Sequence, residues 1–406
     1  MSYLQPILQP ILRPVAQAIN SGGMTPAYAE LNLMAGTLDS RITFTRASTK
    51  TYFGSDGLMH TATVDECPLE YDPVTLLPMG RSFWEARANL LYQSSDYSAN
   101  IWSKAGGGVG AAPAVTTSAG IAPDGTNTAC RLIFAINGGT TSEDQSTLSQ
   151  SSNTVTGVSY VQSIWARSFD GVSTYKLRFS FNGSNPIIIT ITPQWQRFVL
   201  SFVANDTIRG YRLALRGGVG TSDSADILAF GAQREQATFV GPYIPTTTYQ
   251  VTRAADVATV NDLRTLRFNA TEGTLYADGD ASGTLNSVAI SIDDGTGNNR
   301  MDARFTGMDT TAGRAQVWSS GVLQRSYEVG NTSQIPRKIA LAYAPGQSAF
   351  AFNGLVSSAS GDVIPSGLSI VRVGSATFGG LANAHIRRIR YYPRRLTDAQ
   401  LQDLTA

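Results

Sequence analysis

Short runs that alternate apolar and polar residues, rich in β-branched and aromatic side chains, recur along this chain between clusters of Gly, Ser, Asn and Asp. Side chains on a strand point alternately to its two faces, so such a run fits a strand with one buried face and cannot bury one side of a helix. Runs at 160–166, 175–181, 187–191, 198–203, 211–215 and 227–230 are spaced about a dozen residues apart, which predicts an antiparallel sandwich without crossover helices. A second series at 274–276, 288–292, 301–305, 315–318, 338–343, 348–352, 370–373 and 384–392 predicts another. Asn353-Gly354, directly after Ala349-Phe350-Ala351-Phe352, is a hairpin turn whose two residues both tolerate positive φ. Thr397 and Gln400 frame the capping box of a short terminal helix. In the strand 384–392, simple alternation puts Ile386, Arg388 and Arg390 on one face and Arg387, Ile389 and Tyr391 on the other. The arginines there are expected to pair with nearby acids.

The chain of 406 residues holds two histidines and two cysteines, so the chemistry that leans on His pairs, Cys clusters or metals has few places to sit. The cysteines, Cys67 and Cys130, read as small reduced hydrophobes and not as a disulfide framework. With 31 basic against 30 acidic residues the net charge is +1, which argues against a nucleic-acid partner bound through a phosphate-neutralising field. No apolar run approaches the roughly 20 residues of a spanning helix, so no membrane insertion is expected. The opening lacks the pattern of a secretory signal, and synthesis and folding in a cytoplasm are expected.

The first residues stand apart. Leu4, Ile7, Leu8, Ile11, Leu12 and Val15 follow helical spacing, yet Pro6, Pro10 and Pro14 interrupt any regular helix. Residues 1–24 are therefore expected to form a docking or oligomerisation arm, with a cleaved or disordered leader as the alternative. Residues 25–95 read as a small irregular β connector, 96–256 as the first sandwich and 257–406 as the second.

Three strings carry a family likeness. Tyr71-Asp72-Pro73-Val74-Thr75, then Glu85-Ala86-Arg87-Ala88-Asn89-Leu90-Leu91 and Asp96-Tyr97-Ser98 before Trp102, resemble the connector that leads into a carbohydrate-binding-type jelly roll in tailed-phage virion proteins. Gly231-Ala232-Gln233-Arg234-Glu235, with Pro242-Tyr243-Ile244-Pro245 and Thr252-Arg253-Ala254-Ala255-Asp256, resembles the closing strand and exit of that jelly roll. The C-terminal third, through Ile370-Val371-Arg372-Val373-Gly374 and Ile389-Arg390-Tyr391-Tyr392-Pro393, is similar to concanavalin-like, laminin-G-type lectin domains. The resemblance implies an all-β fold: two tandem antiparallel β-sandwiches, a jelly roll then a concanavalin-like domain, after the arm and the small β module. It further implies a phage virion appendage, of tail-fibre or head-fibre type, located in the virion. Its partners would be other virion proteins, through the arm, and host-surface glycan, with a homotrimer as the preferred assembly. Purely structural decoration of a head or tail is the alternative, and a glycan depolymerase or esterase the second alternative.

Sugar-binding sandwiches offer aromatic rings that stack on pyranose faces, flanked by polar groups. Trp102, Tyr175, Arg178 and Tyr211 are the candidates in the first sandwich, and Trp318 and Tyr327 in the second; each aromatic also suits a core. Asp293, Asp294, Asn298 and Asp302 crowd oxygen atoms suited to Ca²⁺. The same segment reads as an ordinary polar hairpin loop and lacks a closing Glu, so no cofactor is expected. No paired-carboxylate strand, G-x-S-x-G elbow or zinc-type histidine pair occurs, and no enzymatic activity is expected.

Overall fold

The computed structural model of the protein describes residues 27–406 except 182–183, 282–285, 308–311, 331–334 and 378. The expected arm, residues 1–24, lies outside the described residues. The fold is nearly all β, with one short 3-10 turn at Leu263–Leu266 and one α-helix at Asp398–Thr405 among the described residues. No helix among them is long and apolar enough to cross a membrane.

The first sandwich consists of two five-stranded antiparallel sheets. One runs in the order Gln196–Val203, Ser159–Ser168, Ser224–Glu235, Ala129–Ala135 and Ala111–Gly120. The other runs Ser184–Ile191, Tyr175–Phe181, Ile208–Arg216, Gln145–Asn153 and Ser103–Gly107. Phe134, Ile164 and Ile227 from the first sheet meet Leu148, Phe179 and Leu213 from the second in one core. Burying each such side chain stabilises by roughly 1.5–3 kcal/mol, enough to hold strands as polar as Gln145–Asn153 in place.

The second sandwich packs a seven-stranded sheet on an eight-stranded one. The seven run Thr43–Thr45, Val257–Val260, Ile370–Val373, Val288–Asp293, Arg300–Arg304, Gly313–Ser319 and Val322–Val329. The other sheet runs Leu355–Ser360, Gln347–Phe352, Arg337–Ala344, Gly273–Gly279, Ala384–Tyr392, Pro78–Phe83 and Glu70–Tyr71, with Ala29–Asn32 also paired to Ala384–Tyr392. Ile292, Met301, Val317 and Val371 face Leu275, Leu341, Phe350 and Ile389 across the core. The terminal helix lays Leu401 over Tyr276, Ala340, Ala351 and Tyr392 on the outside of the eight-stranded sheet. Its capping box at Thr397 and Gln400 is present, and Asn353 and Gly354 turn their hairpin at φ of 43° and 80°.

The stretch 25–95 does not form a module of its own, which corrects that expected boundary. Ala29–Asn32 and Pro78–Phe83 pair with Ala384–Tyr392, and Thr43–Thr45 pairs with Val257–Val260. Strands so short bury too little surface alone; joined to the second sandwich, Leu31, Phe44 and Phe83 enter its core. Arg87–Asn89 then pairs with Val251–Arg253, closing a neck where the chain enters and leaves the first sandwich. The jelly-roll-type sandwich is thus inserted into the second sandwich.

Ala384–Tyr392 departs from simple alternation. Ile386, Ile389 and Tyr391 all belong to the core, and the register shifts opposite Asp278 and Gly279, leaving Arg387 as the extra residue of a β-bulge. Ile386 therefore does not share a face with Arg388 and Arg390. The expected pairing of arginines with acids holds: Arg387 lies 3.6 Å from Asp278 and Arg390 2.6 Å from Glu30. Cys67 and Cys130 are both buried thiols outside any disulfide.

Candidate functional site

The connector and closing-strand strings meet at the neck, and there they act as clamps. Asn89 donates from Nδ2 to the carbonyls of Ala232 and Ile244 at 3.1 and 2.9 Å, while its Oδ1 accepts from the backbone of Leu91 and Arg234. Gln233 accepts from Ile244 N at 2.6 Å, and Glu235 accepts from Gly241 N at 2.9 Å. Arg234 donates to Ser152 Oγ at 2.8 Å and to Gln162 Oε1 at 2.7 Å. Asp256 accepts from Trp84 N at 2.8 Å and Arg46 Nη1 at 3.1 Å. All five are buried. Burial pushes the Arg234 guanidinium down to about 10 and raises the Glu235 carboxyl. Groups so enclosed hold the entry and exit segments together and present nothing to a ligand.

A second polar cluster joins the connector to the second sandwich, and the sequence offered no motif for it. His385 Nε2 lies 3.1 Å from Glu70 Oε2, and Nδ1 lies 3.4 Å from Asp280 Oδ1. Lys50 Nζ donates to Glu70 Oε1 at 2.7 Å and to Ser82 Oγ at 2.9 Å. Burial alone lowers the imidazole's proton affinity; hydrogen bonds to Asp280 and Glu70 outweigh it and raise the value to about 9. At neutral pH both ring nitrogens carry protons and face carboxylates. Such an imidazolium has no lone pair with which to act as a base.

Most of the aromatic candidates are core residues, a correction to the sequence reading. Trp102 and Tyr211 are 1% and 0% exposed and stack edge to face at 5.6 Å between the first sandwich's sheets. Their polar ends are engaged, Trp102 Nε1 with the Gln93 carbonyl at 2.9 Å and Tyr211 OH with the Ser163 carbonyl at 3.0 Å. Tyr327 is 4% exposed, and its OH meets Ser348 Oγ at 2.7 Å. Tyr175 packs at the edge of the first core, whereas Arg178, an odd number of positions later on the same strand, faces outward.

Trp318 differs. It is half-buried on the outer face of the seven-stranded sheet, opposite Arg300, whose guanidinium lies 4.2 Å from the indole centroid. The next pair along that face is Asp302 and Gln316, and the next Arg304 and Arg314. Three buried side-chain atoms here have no hydrogen-bond partner: Trp318 Nε1, Arg314 Nε and Asp302 Oδ2. An indole beside guanidinium donors and a carboxylate acceptor can both stack on a pyranose and hydrogen-bond its hydroxyls. A shallow cleft of about 360 Å³ beside the neck, lined by Tyr92, Gln93, Ala99, Asn100, Ile101 and Thr248, carries no charged group.

The four oxygen-bearing candidates do not assemble a cation site, which corrects the calcium alternative. Asp293 is held by Arg372 Nε and Nη2 at 2.7 and 3.2 Å, and by Gly295 N. Asp302 accepts from Arg304 Nε at 2.7 Å, with Arg300 Nε at 3.6 Å. Asp294 closes the loop: burial raises its carboxyl, but bonds from Asn299, Thr296 and Gly297 together outweigh it and hold the value at about 2. Asn298 is exposed at the turn. Guanidinium groups already neutralise the two strand carboxylates, and no cluster of acidic, His or Cys residues among the described residues suits a metal.

No family model and no curated protein matches the chain. Among solved structures it is similar to domain 4 of AbnA, a GH43 extracellular arabinanase from Geobacillus stearothermophilus, at 15% identity and a TM-score of 0.31, covering 41% of this chain and 82% of that one. It is also similar to the tandem CBM22-1-CBM22-2 domain of Paenibacillus barcinonensis Xyn10C, at 12% identity and a TM-score of 0.27, covering 80% and 96%. Domains LG4-5 of the mouse laminin α1 chain follow at 8% identity and a TM-score of 0.23, covering 60% and 86%. At these scores the likeness is one of β-sandwich construction alone.

Proposed function

We propose that the chain is a non-enzymatic, glycan-binding appendage protein of a tailed-phage virion. The connector, closing-strand and C-terminal strings support the virion reading. The glycan reading rests on one observation: the outer face of the seven-stranded sheet gathers Trp318, Arg300 and Gln316 around three polar atoms that lack partners. Asp293 and Asp302 on that face are tied to arginines, which suits binding without turnover. Weak single contacts would gain avidity from repeated copies. Residues 1–24 would dock on other virion proteins, and the chain would close as a homotrimer. Light scattering on the full chain is then expected to give a three-chain mass that falls to one chain without residues 1–24; a monomer in both ends the trimer reading.

The glycan reading is tested by binding of the full chain to an array of bacterial surface polysaccharides. Trp318→Ala is expected to lose roughly tenfold or more in affinity, consistent with the loss of an aromatic anchor, with an unchanged thermal midpoint. Equal binding by Trp318→Ala would remove that face from the site. If the wild type binds no glycan, the modules are structural decoration of a head or tail. A fall in polysaccharide viscosity on adding the pure protein would make it a depolymerase.

A further inference from the structure

The cleft beside the neck is walled by clamped backbone. Its lining comes from Tyr92 and Gln93 on the entry segment, Ala99, Asn100 and Ile101 on the turn that follows, and Thr248 on the exit segment. The buried amide of Gln150 holds Tyr92 twice: its Oε1 accepts from Tyr92 N at 2.7 Å, and its Nε2 donates to the Tyr92 carbonyl at 2.9 Å. Gln93 N donates to the Thr247 carbonyl at 2.8 Å and Ser94 N to that of Thr246 at 3.1 Å, so the entry and exit segments run side by side. Lys104 Nζ gathers the carbonyls of Tyr97, Ser98 and Ala99 at 3.3, 2.9 and 3.2 Å. Trp102 Nε1 ties the turn back to the Gln93 carbonyl at 2.9 Å. Walls held this way keep their shape before anything binds, which spares a ligand the cost of ordering them.

The side chains of the lining residues take no part in these clamps. The Tyr92 hydroxyl, the Gln93 and Asn100 carboxamides and the Thr248 hydroxyl have no hydrogen-bond partner among the described residues. Ile101 is left 48% exposed, while Tyr92, Gln93 and Ala99 are half-buried. Gln93 adds an independent sign. Its φ is 50°, in the left-handed region where Gly is the unstrained residue, yet the chain carries a long amide side chain there. Strain of this kind gathers at ligand sites, and nothing described inside the protein uses the Gln93 side chain.

We infer that the cleft binds a short uncharged sugar. Its volume of about 360 Å³ lies at the small end of the roughly 300–1,000 Å³ of small-molecule clefts. A carboxamide sets donors beside an acceptor, which matches two adjacent sugar hydroxyls; Gln93 and Asn100 each supply such a group, with the Tyr92 and Thr248 hydroxyls beside them. The Tyr92 ring and Ile101 offer apolar surface to the C–H face of a pyranose. No charged side chain lines the cleft, so a uronic or sulfated sugar would be desolvated there without a counter-charge. The site belongs to the neck of the first sandwich and does not rest on the Trp318 face of the second.

The test is saturation-transfer NMR on the full chain, titrated with glucose, galactose, mannose, N-acetylglucosamine, maltose and cellobiose, and with glucuronate and galacturonate as charged counterparts. At least one neutral sugar is expected to bind, and the uronates to bind more weakly than it. Gln93→Gly is expected to weaken that sugar roughly tenfold, as the loss of a paired amide contact would, without lowering the thermal midpoint, because Gly relieves the backbone. Asn100→Ala at the exposed rim should lose several-fold, and Trp318→Ala should bind the sugar as the wild type does. Should Gln93→Gly lower the midpoint, Asn100→Ala decides in its place. The inference is overturned if no neutral sugar binds, if the uronates bind as tightly, if the cleft variants bind like the wild type, or if Trp318→Ala alone abolishes the binding.

Discussion

His385 has Glu70 on one ring nitrogen and Asp280 on the other, so its proton links a connector strand to the second sandwich. Its value rises from 6.5 to about 9, because the two carboxylates outweigh the cost of burial. The Glu70 carboxyl is held well below its usual range: burial raises it, but Lys50 and then His385 lower it further. A group whose proton is held more tightly when folded stabilises fully below its unfolded value, and that stabilisation is lost as pH rises through the folded one. For His385 the window runs from 6.5 to about 9, worth at most about 3 kcal/mol at 1.36 per unit. Glu70 works in the opposite sense; its stabilisation is present above 4.5 and fades as pH falls below. Thermal melts across pH 6.5–9 should therefore show the midpoint falling by several degrees in the wild type and by less in His385→Gln. Parallel curves for the two proteins would remove His385 from the pH dependence.

At the scale of strands, what the sequence made legible was what side-chain alternation alone decides. Tyr175–Phe181, Ile370–Val373 and Ala384–Tyr392 end where their apolar runs end. Ala111–Gly120 and Gln145–Asn153 give no such signal, since the latter turns Ser146, Gln150 and Ser152 inward around a single apolar residue, Leu148. Its place is set by its partners, Ile208–Arg216 and Ser103–Gly107, and pairing over that distance leaves no local trace. The same limit applies to the site. That Tyr175 and Arg178 lie on opposite faces follows from their odd spacing, whereas Trp102 and Trp318 look alike until the sheets are assembled. Arg178, Arg212 and Arg216 of one sheet come from two strands more than thirty residues apart, and only their register brings them together. The most recognisable strings prove to be clamps because a neck must satisfy buried backbone groups at fixed positions, which demands particular amides and charges.

For the whole molecule, insertion of one sandwich into the other predicts which pieces stand alone. Trp84 N donates to Asp256 Oδ2 at 2.8 Å, and Arg87–Asn89 pairs with Val251–Arg253, so both chain crossings are pinned at one point. A fragment spanning 85–256 keeps both core-facing sheets and its own closing ribbon, and it should unfold in a single cooperative transition. Replacing 87–253 by a short Gly/Ser linker should leave the second sandwich folded, because its ends already meet. Residues 257–406 alone should fail. They lack Ala29–Asn32, Thr43–Thr45 and Pro78–Phe83, and with them Leu31, Phe44 and Phe83 of the core, each worth roughly 1.5–3 kcal/mol of burial. They would also leave Ala384–Tyr392 with an unpaired edge, which invites association between chains. Circular dichroism melts with light scattering on the three chains check this. A cooperative, monomeric transition of 257–406 at the midpoint of the intact protein would mean that the N-terminal strands merely decorate a sandwich already complete without them.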